Sequence, residues 1–239
     1  MSVTRPDRVE VFVDLRSPYS YLALNPARTL AQRTGTTFDW WPYLTDFRSA
    51  YGGEVEQRGA RDVAKLKYLY MDCRRLAALQ GLTIRATTKL WDATLASQAM
   101  LFAKSKGRLW EFCDPLLTAF WRREFDLESA DALMSALTQA GLAPQEWQAY
   151  RDGQAGRDLE GATAHAEDLG VFGAPTFVYR GELFWGGDRL ELLAHALSGA
   201  GDQPSRGGGG LPPVMRSYAA AAGAPSCRDG TRLERGRAS

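Results

Sequence analysis

Val9, Val11, Val13 and Leu15 fall on alternate positions of VEVFVDL, with β-branched and aromatic residues dominating the segment. A two-residue apolar period of this composition predicts a strand over Val9–Leu15. Ser17-Pro18 then marks a helix start, since serine is a good N-cap and proline is favoured at the first helical position. Apolar residues at Tyr21, Leu22, Leu24, Leu30 and Ala31 carry that helix toward Gly35. Thr37–Leu44, TFDWWPYL, predicts a second strand, whose Pro42 signals an edge or a bend. After a glycine-bearing loop at Ala50–Gly59, Val63, Leu66, Tyr70, Cys73 and Ala77 recur at helical spacing and predict a long helix ending before Gly81. Further helices are expected over Trp91–Lys106, Arg108–Trp121, Ser129–Ala140, Pro144–Arg151 and Asp158–Leu169. The pattern then returns to strands at Thr176–Tyr179 and Glu182–Trp185, joined by a turn at Arg180-Gly181, which is a hairpin signal. Asp188–Leu197 closes the core as a helix.

The predicted order is β-α-β, a helical block, then α-β-β-α. Strands confined to the two ends imply one small α/β sheet interrupted by a helical insertion. The boundaries that follow are a discontinuous sheet domain at 1–50 and 160–200, a helical domain at 51–159, and a remainder at 201–239. In Gly201–Ser239 the composition shifts to 8 glycines, 4 prolines, 6 arginines and 3 acidic residues. Such a stretch buries too little apolar surface to offset its ordering entropy, so it is expected to be a disordered tail.

Composition narrows the class of protein. The chain has 239 residues, 45% hydrophobic, which is enough to bury a sizeable core. Its 29 basic and 28 acidic residues give a net charge of +1, arguing against a nucleic-acid binder. The tail carries +3 (6 minus 3), leaving the first 200 residues mildly acidic at −2. No apolar run reaches about 18 residues, so no membrane-spanning helix is expected. The first ten residues are polar and lack a signal-peptide core. Cysteines number three, at 73, 113 and 227, with no pair at CxxC spacing. A disulfide framework, a zinc ribbon and a dithiol redox site are all disfavoured, no metal is expected, and a reducing cytoplasm is the implied compartment.

Three short elements carry candidate chemistry. Ser17-Pro18-Tyr19-Ser20 sits where a strand delivers the chain to a helix N-terminus, whose unpaired N–H groups and dipole favour an anion, including a thiolate. The Ser17 hydroxyl either caps its own helix or donates to a ligand, and the residues alone leave both open. Gly173-Ala174-Pro175-Thr176 precedes a strand. A cis proline there would turn the backbone of Ala174 toward a groove where an extended peptide can pair with it, whereas a trans loop proline would not. Gly186-Gly187-Asp188-Arg189 precedes the last helix, with Asp188 either a cap or a ligand contact.

In combination, DLRSPYSYLA (Asp14–Ala23), KLKYLYMDCRRLAALQGL (Lys65–Leu82) and VFGAPTFVYRGELFWGGDRLELL (Val171–Leu193) resemble the thioredoxin superfamily with an inserted helical domain, of the DsbA and kappa-class glutathione transferase type. Within it the chain is most similar to the 2-hydroxychromene-2-carboxylate isomerase family. The resemblance implies a glutathione-dependent cis–trans isomerase that converts 2-hydroxychromene-2-carboxylate to trans-o-hydroxybenzylidenepyruvate, a step in bacterial naphthalene breakdown. It implies that Ser17 donates to the glutathione sulfur, that Pro175 is cis, that Ala174 pairs with the cysteinyl backbone, and that Asp188, beside Gly187, takes the γ-glutamyl ammonium. It also implies a homodimer. For an aromatic carboxylate substrate, Trp41, Trp91 and Trp121 are candidate cleft walls, and Arg85 and Lys89 candidate carboxylate contacts. Three positions depart from the family pattern: Arg16, Gly52-Gly53-Glu54 and Gly187. If Arg16 points into the cleft, it would favour an anionic ligand. The alternatives are a kappa-type glutathione transferase or peroxidase, and a non-catalytic module that binds a peptide or a thiol in the groove beside Pro175. A dithiol oxidoreductase is the weakest alternative, since Ser17 and Ser20 occupy the two thiol positions.

Overall fold

Valines dominate strand β1 (Arg8–Val13), and both of its faces are buried. Val9, Val11 and Val13 join the main core, while Phe12 turns to the opposite face against Ala166, Val171 and Val178. The sequence pattern suggested one apolar face; two are needed because β1 is an interior strand. This computed structural model describes residues 8–46 and 59–199. Most of the loop at Ala50–Gly59, with Gly52, Gly53 and Glu54, and the segment Gly201–Ser239 with Cys227, lie outside the described residues.

The sheet has the order β2-β1-β3-β4. Strand β2 (Thr37–Pro42) runs parallel to β1, with Val9 opposite Phe38 and Val13 opposite Pro42. Strand β3 (Thr176–Tyr179) is antiparallel to β1, and β4 (Glu182–Trp185) is antiparallel to β3 across the turn at Arg180-Gly181. Pro42 ends β2 rather than lying inside it, so the strand is two residues shorter than TFDWWPYL suggests. Strand β1 likewise stops at Val13, because Asp14 begins the turn in which the Ser17 N–H donates to the Asp14 carbonyl at 2.9 Å.

Helix α1 (Pro18–Thr34) makes the crossover from β1 to β2 and ends on Gly35, whose φ of 67° suits a residue without Cβ. Pro26 lies inside α1, so the Leu22 carbonyl, four residues earlier, receives no backbone donor from it. The Gln80 side chain fills that place, donating from Nε2 to Leu22 O at 3.0 Å. Gln80→Ala is therefore expected to cost about 1 kcal/mol of stability. In a Pro26→Ala background, where the backbone donor returns, the cost should vanish; urea denaturation of the two single variants and the double variant checks this.

Among the described residues six helices separate β2 from β3: α2 (Ala60–Leu79), α3 (Thr94–Ser105), α4 (Leu109–Trp121), α5 (Ala130–Gln139), α6 (Pro144–Gly153) and α7 (Ala155–Asp168). In α2 only Cys73 and Ala77 are buried. Val63 and Leu66, placed on the same stripe by their spacing, are exposed, so the first half of that helix contributes little core. Helix α3 begins at Thr94 rather than Trp91, because the Asp92 carboxylate accepts from the Thr94 N–H at 2.8 Å just before the first turn. Helices α3 to α6 enclose Phe102, Phe112, Leu116, Trp121, Leu133 and Trp147, all essentially inaccessible. Helix α7 covers the face of the sheet opposite α1 through Ala166. A 3₁₀ turn at Gly187–Arg189 leads into α8 (Leu190–Leu197), where a helix start at Asp188 was expected. Among the described residues no helix is long and apolar enough to cross a membrane, and no group of three or more His, Cys, Asp or Glu could hold a metal.

Candidate active-site groove

Asp14 organises the turn between β1 and α1. Its side chain is fully buried and accepts from the Arg16 N–H at 2.8 Å, from Arg16 Nε at 3.0 Å and Nη2 at 2.8 Å, and from the Thr45 N–H at 2.8 Å. Arg16 also donates to the carbonyls of Trp91 and Thr45, both at 3.1 Å. The guanidinium thus lies inward, tying α1 to the segments after β2 and before α3.

Ser17 is the N-cap of α1, and its Oγ accepts from the Ser20 N–H at 3.2 Å. Capping uses a lone pair of the oxygen and leaves the hydroxyl proton free to donate elsewhere. The two readings of Ser17 are therefore compatible. Ser20 is buried, and its Oγ accepts from the Asp14 N–H at 3.2 Å.

The Ala174–Pro175 bond is cis. The Pro175 carbonyl accepts from the Gly186 N–H at 2.9 Å, which ties the proline loop to the turn after β4. Among the described residues the N–H and C=O of half-buried Ala174 have no hydrogen-bond partner. Gly186 has φ 104°, and a Cβ there would strike the Asp188 carboxylate, so only glycine suits this position. A Cβ on Gly187 would lie 3.2 Å from Ala23 Cβ, so the 3₁₀ turn sits directly on α1. Asp188 is largely exposed, and its carboxylate accepts from Arg189 at 2.7 Å.

These elements border a groove of about 530 Å³. Ala174, Pro175, Gly187 and Asp188 line one side; Tyr19, from α1, and Asp72, from α2, also line it. Ser17 is not among the lining residues; it lies two positions before Tyr19 in the same turn. The Tyr19 hydroxyl donates to Asp72 at 2.8 Å, and burial together with this bond raises its pKa, keeping it protonated. Neither Tyr19 nor Asp72 was singled out by the sequence. Tyr19 lies inside the S-P-Y-S turn, but nothing in the order of residues signals that Asp72, 53 positions away, would meet it.

The remaining nominated residues lie elsewhere. Trp41 is on the opposite face of the sheet, 5.2 Å from the His165 ring, with the Lys104 ammonium 3.4 Å above it. Burial lowers the pKa of Lys104, while its ion pair with Asp39 opposes the shift. Trp121 is in the core, stacked on Tyr21 at 6.2 Å. Trp91 packs edge-on against Phe120 under the Lys89 ammonium, which pairs with Glu128 at 2.5 Å. Arg85 donates to the Arg122 carbonyl at 3.2 Å. None of these five, nor Arg16, lines the groove.

Cys73 and Cys113 are free and buried. Burial pushes the Cys73 thiol up to about 12 and raises Cys113 as well, so both stay protonated at pH 8. Neither should be alkylated by iodoacetamide in the native protein at that pH, while both should react in denaturant; peptide mass spectrometry distinguishes the two states.

A mixed four-stranded sheet, a helix beginning at Ser17, a cis proline before β3 and helices inserted between β2 and β3 define a thioredoxin-type fold with serines in the dithiol positions. The chain belongs to the DsbA-like thioredoxin domain family, whose model matches residues 8–198. It is similar to curated 2-hydroxychromene-2-carboxylate isomerases. The relative from Sphingobium xenophagum is 27% identical over 192 residues, covering 79% of this chain and 97% of that protein. The relative from Pseudomonas putida is 28% identical over 198 residues, covering 79% and 93%. A solved 2-hydroxychromene-2-carboxylate isomerase superimposes with a TM-score of 0.66 at 22% identity, covering 89% of this chain and 98% of that one.

Proposed function

We propose that this protein is a glutathione-dependent cis–trans isomerase of the 2-hydroxychromene-2-carboxylate type. The observation that carries this reading is the groove beside Pro175, where an unpartnered peptide edge at Ala174 and an exposed carboxylate at Asp188 meet the N-terminal turn of a helix capped by serine. The names of the relatives supply the reaction class.

The residues present fit glutathione. The free N–H and C=O of Ala174 offer the pairing edge an extended cysteinyl residue needs. Asp188 offers an anion for the γ-glutamyl ammonium. Ser17 offers a hydroxyl proton not consumed by capping, at the positive end of the α1 dipole, where a thiolate is favoured. Glutathione supplies, when bound, a thiol that adds reversibly to a conjugated enone and frees rotation about the former double bond. The protein's part is to hold the sulfur near the end of α1 and to donate to it from Ser17, while Ser20 is kept from the ligand by its burial. No protein electron donor is needed, because addition and elimination leave no net oxidation.

The direct test is to follow interconversion of 2-hydroxychromene-2-carboxylate and trans-o-hydroxybenzylidenepyruvate by absorbance, with and without glutathione. Turnover only with glutathione, with no glutathione consumed, is the expected result. Conjugation to a chloronitrobenzene without isomerisation would assign a kappa-type transferase instead.

A further inference from the structure

The groove beside Pro175 does not end at the γ-glutamyl position. A second cavity of about 420 Å³ shares Pro26, Gln80 and Leu190 with it and continues along α1 to Arg33. Tyr19, Leu22, Pro26, Thr29 and Arg33 line the pair of cavities at helical spacing, forming one continuous stripe of α1. Tyr19 and Arg33 are fourteen positions apart, which at about 1.5 Å per residue makes the channel about 21 Å long. A tripeptide such as glutathione spans only about 10 to 12 Å when extended.

The added half is also chemically distinct. The Asn25 amide, the Thr29 hydroxyl and the Arg33 guanidinium border it and form no hydrogen bond or ion pair among the described residues. Asn25 and Thr29 can pair with a peptide backbone, and Arg33 at the far end is a cation suited to a carboxylate, partly offset by Glu191 of α8, which borders the same cavity.

We propose that the channel takes a peptide thiol longer than glutathione, whose chain continues about three residues on the N-terminal side of its cysteine and presents a carboxylate to Arg33. The inference rests on the proposed placement of the cysteinyl residue at Ala174, with the γ-glutamyl group toward Asp188. The direction of the extension follows from that placement, since the second cavity lies past Asp188 and Leu190.

The test compares two S-methylated ligands by calorimetry on the full chain: S-methylglutathione, and the pentapeptide acetyl-Glu-Gly-Gly-Cys-Gly. The pentapeptide should bind at least about tenfold more tightly. Arg33→Glu and Thr29→Trp, both at exposed positions of α1, should remove that advantage without changing the affinity for S-methylglutathione. Equal affinity for the two ligands, or an advantage that survives both substitutions, overturns the proposal. If S-methylglutathione fails to bind while the pentapeptide binds and responds to Arg33→Glu, the glutathione reading fails and the longer-thiol reading stands. If glutathione binds and supports isomerisation but the pentapeptide has no advantage, the outcome is reversed.

Discussion

Replacing Ser17 with alanine is expected to slow the proposed glutathione-dependent isomerisation by about two to three orders of magnitude, while costing the fold only about 1 kcal/mol. The first figure is the usual loss on deleting one donor aimed at developing or full negative charge in a desolvated site. The second is the usual loss of an N-cap, here the bond from the Ser20 N–H to Ser17 Oγ. The two effects separate because the oxygen does the capping and the proton is left for the proposed donation. Ser17→Asp keeps an acceptor for the Ser20 N–H and places a carboxylate where the helix dipole favours one. It should therefore melt no lower than the native protein. It offers no donor, and its charge repels a thiolate, so it should be at least as inactive as Ser17→Ala. Paired measurements of kcat/KM with glutathione and of Tm decide the matter. Near-native kcat/KM in Ser17→Ala would remove the hydroxyl from the reaction.

Asp14→Ala is expected to produce the largest loss of stability of any single substitution around the groove, about 3 to 5 kcal/mol. The carboxylate is fully buried and accepts four hydrogen bonds, three from Arg16 and one from Thr45. Removing it takes the buried counter-charge from a guanidinium that is only 12% exposed, and leaves two backbone N–H groups without their acceptor. The cost is mostly that of the charge left behind, so Asp14→Ala combined with Arg16→Met should recover part of it. Urea midpoints for the single and double variants measure the recovery. A loss below about 1 kcal/mol in Asp14→Ala would show that the guanidinium finds water instead.

Turn and cap chemistry made much of this fold legible from the chain alone. Ser17-Pro18 located the start of α1, Gly35 its end, and Arg180-Gly181 the β3–β4 hairpin, because each depends on backbone geometry that few residue types satisfy. The placement of large side chains was less legible. Trp41, Trp91 and Trp121 carry no mark in the sequence that separates a core ring from a cleft wall, and packing puts the first behind the sheet and the third wholly inside. Whether Arg16 points into the cleft is not legible in the chain, because its partner, Asp14, reads as the last polar residue of a strand. Only the early end of β1 turns that carboxylate inward to meet it. Tyr19 and Asp72, like Gln80 and Leu22, meet through tertiary contact between α1 and the end of α2, which no local pattern encodes.

The contact between Gly187 and Ala23 makes these two positions, on separate elements, share one volume. A methyl group already occupies α1's side of the contact, so a side chain on the 3₁₀ turn would need it to give by a few tenths of an ångström. A serine at 187, with its extra hydroxyl for a ligand, would press on that methyl, and glycine at 23 would relieve the contact. The two sites should thus vary together, with a side chain at 187 best accommodated where 23 is glycine.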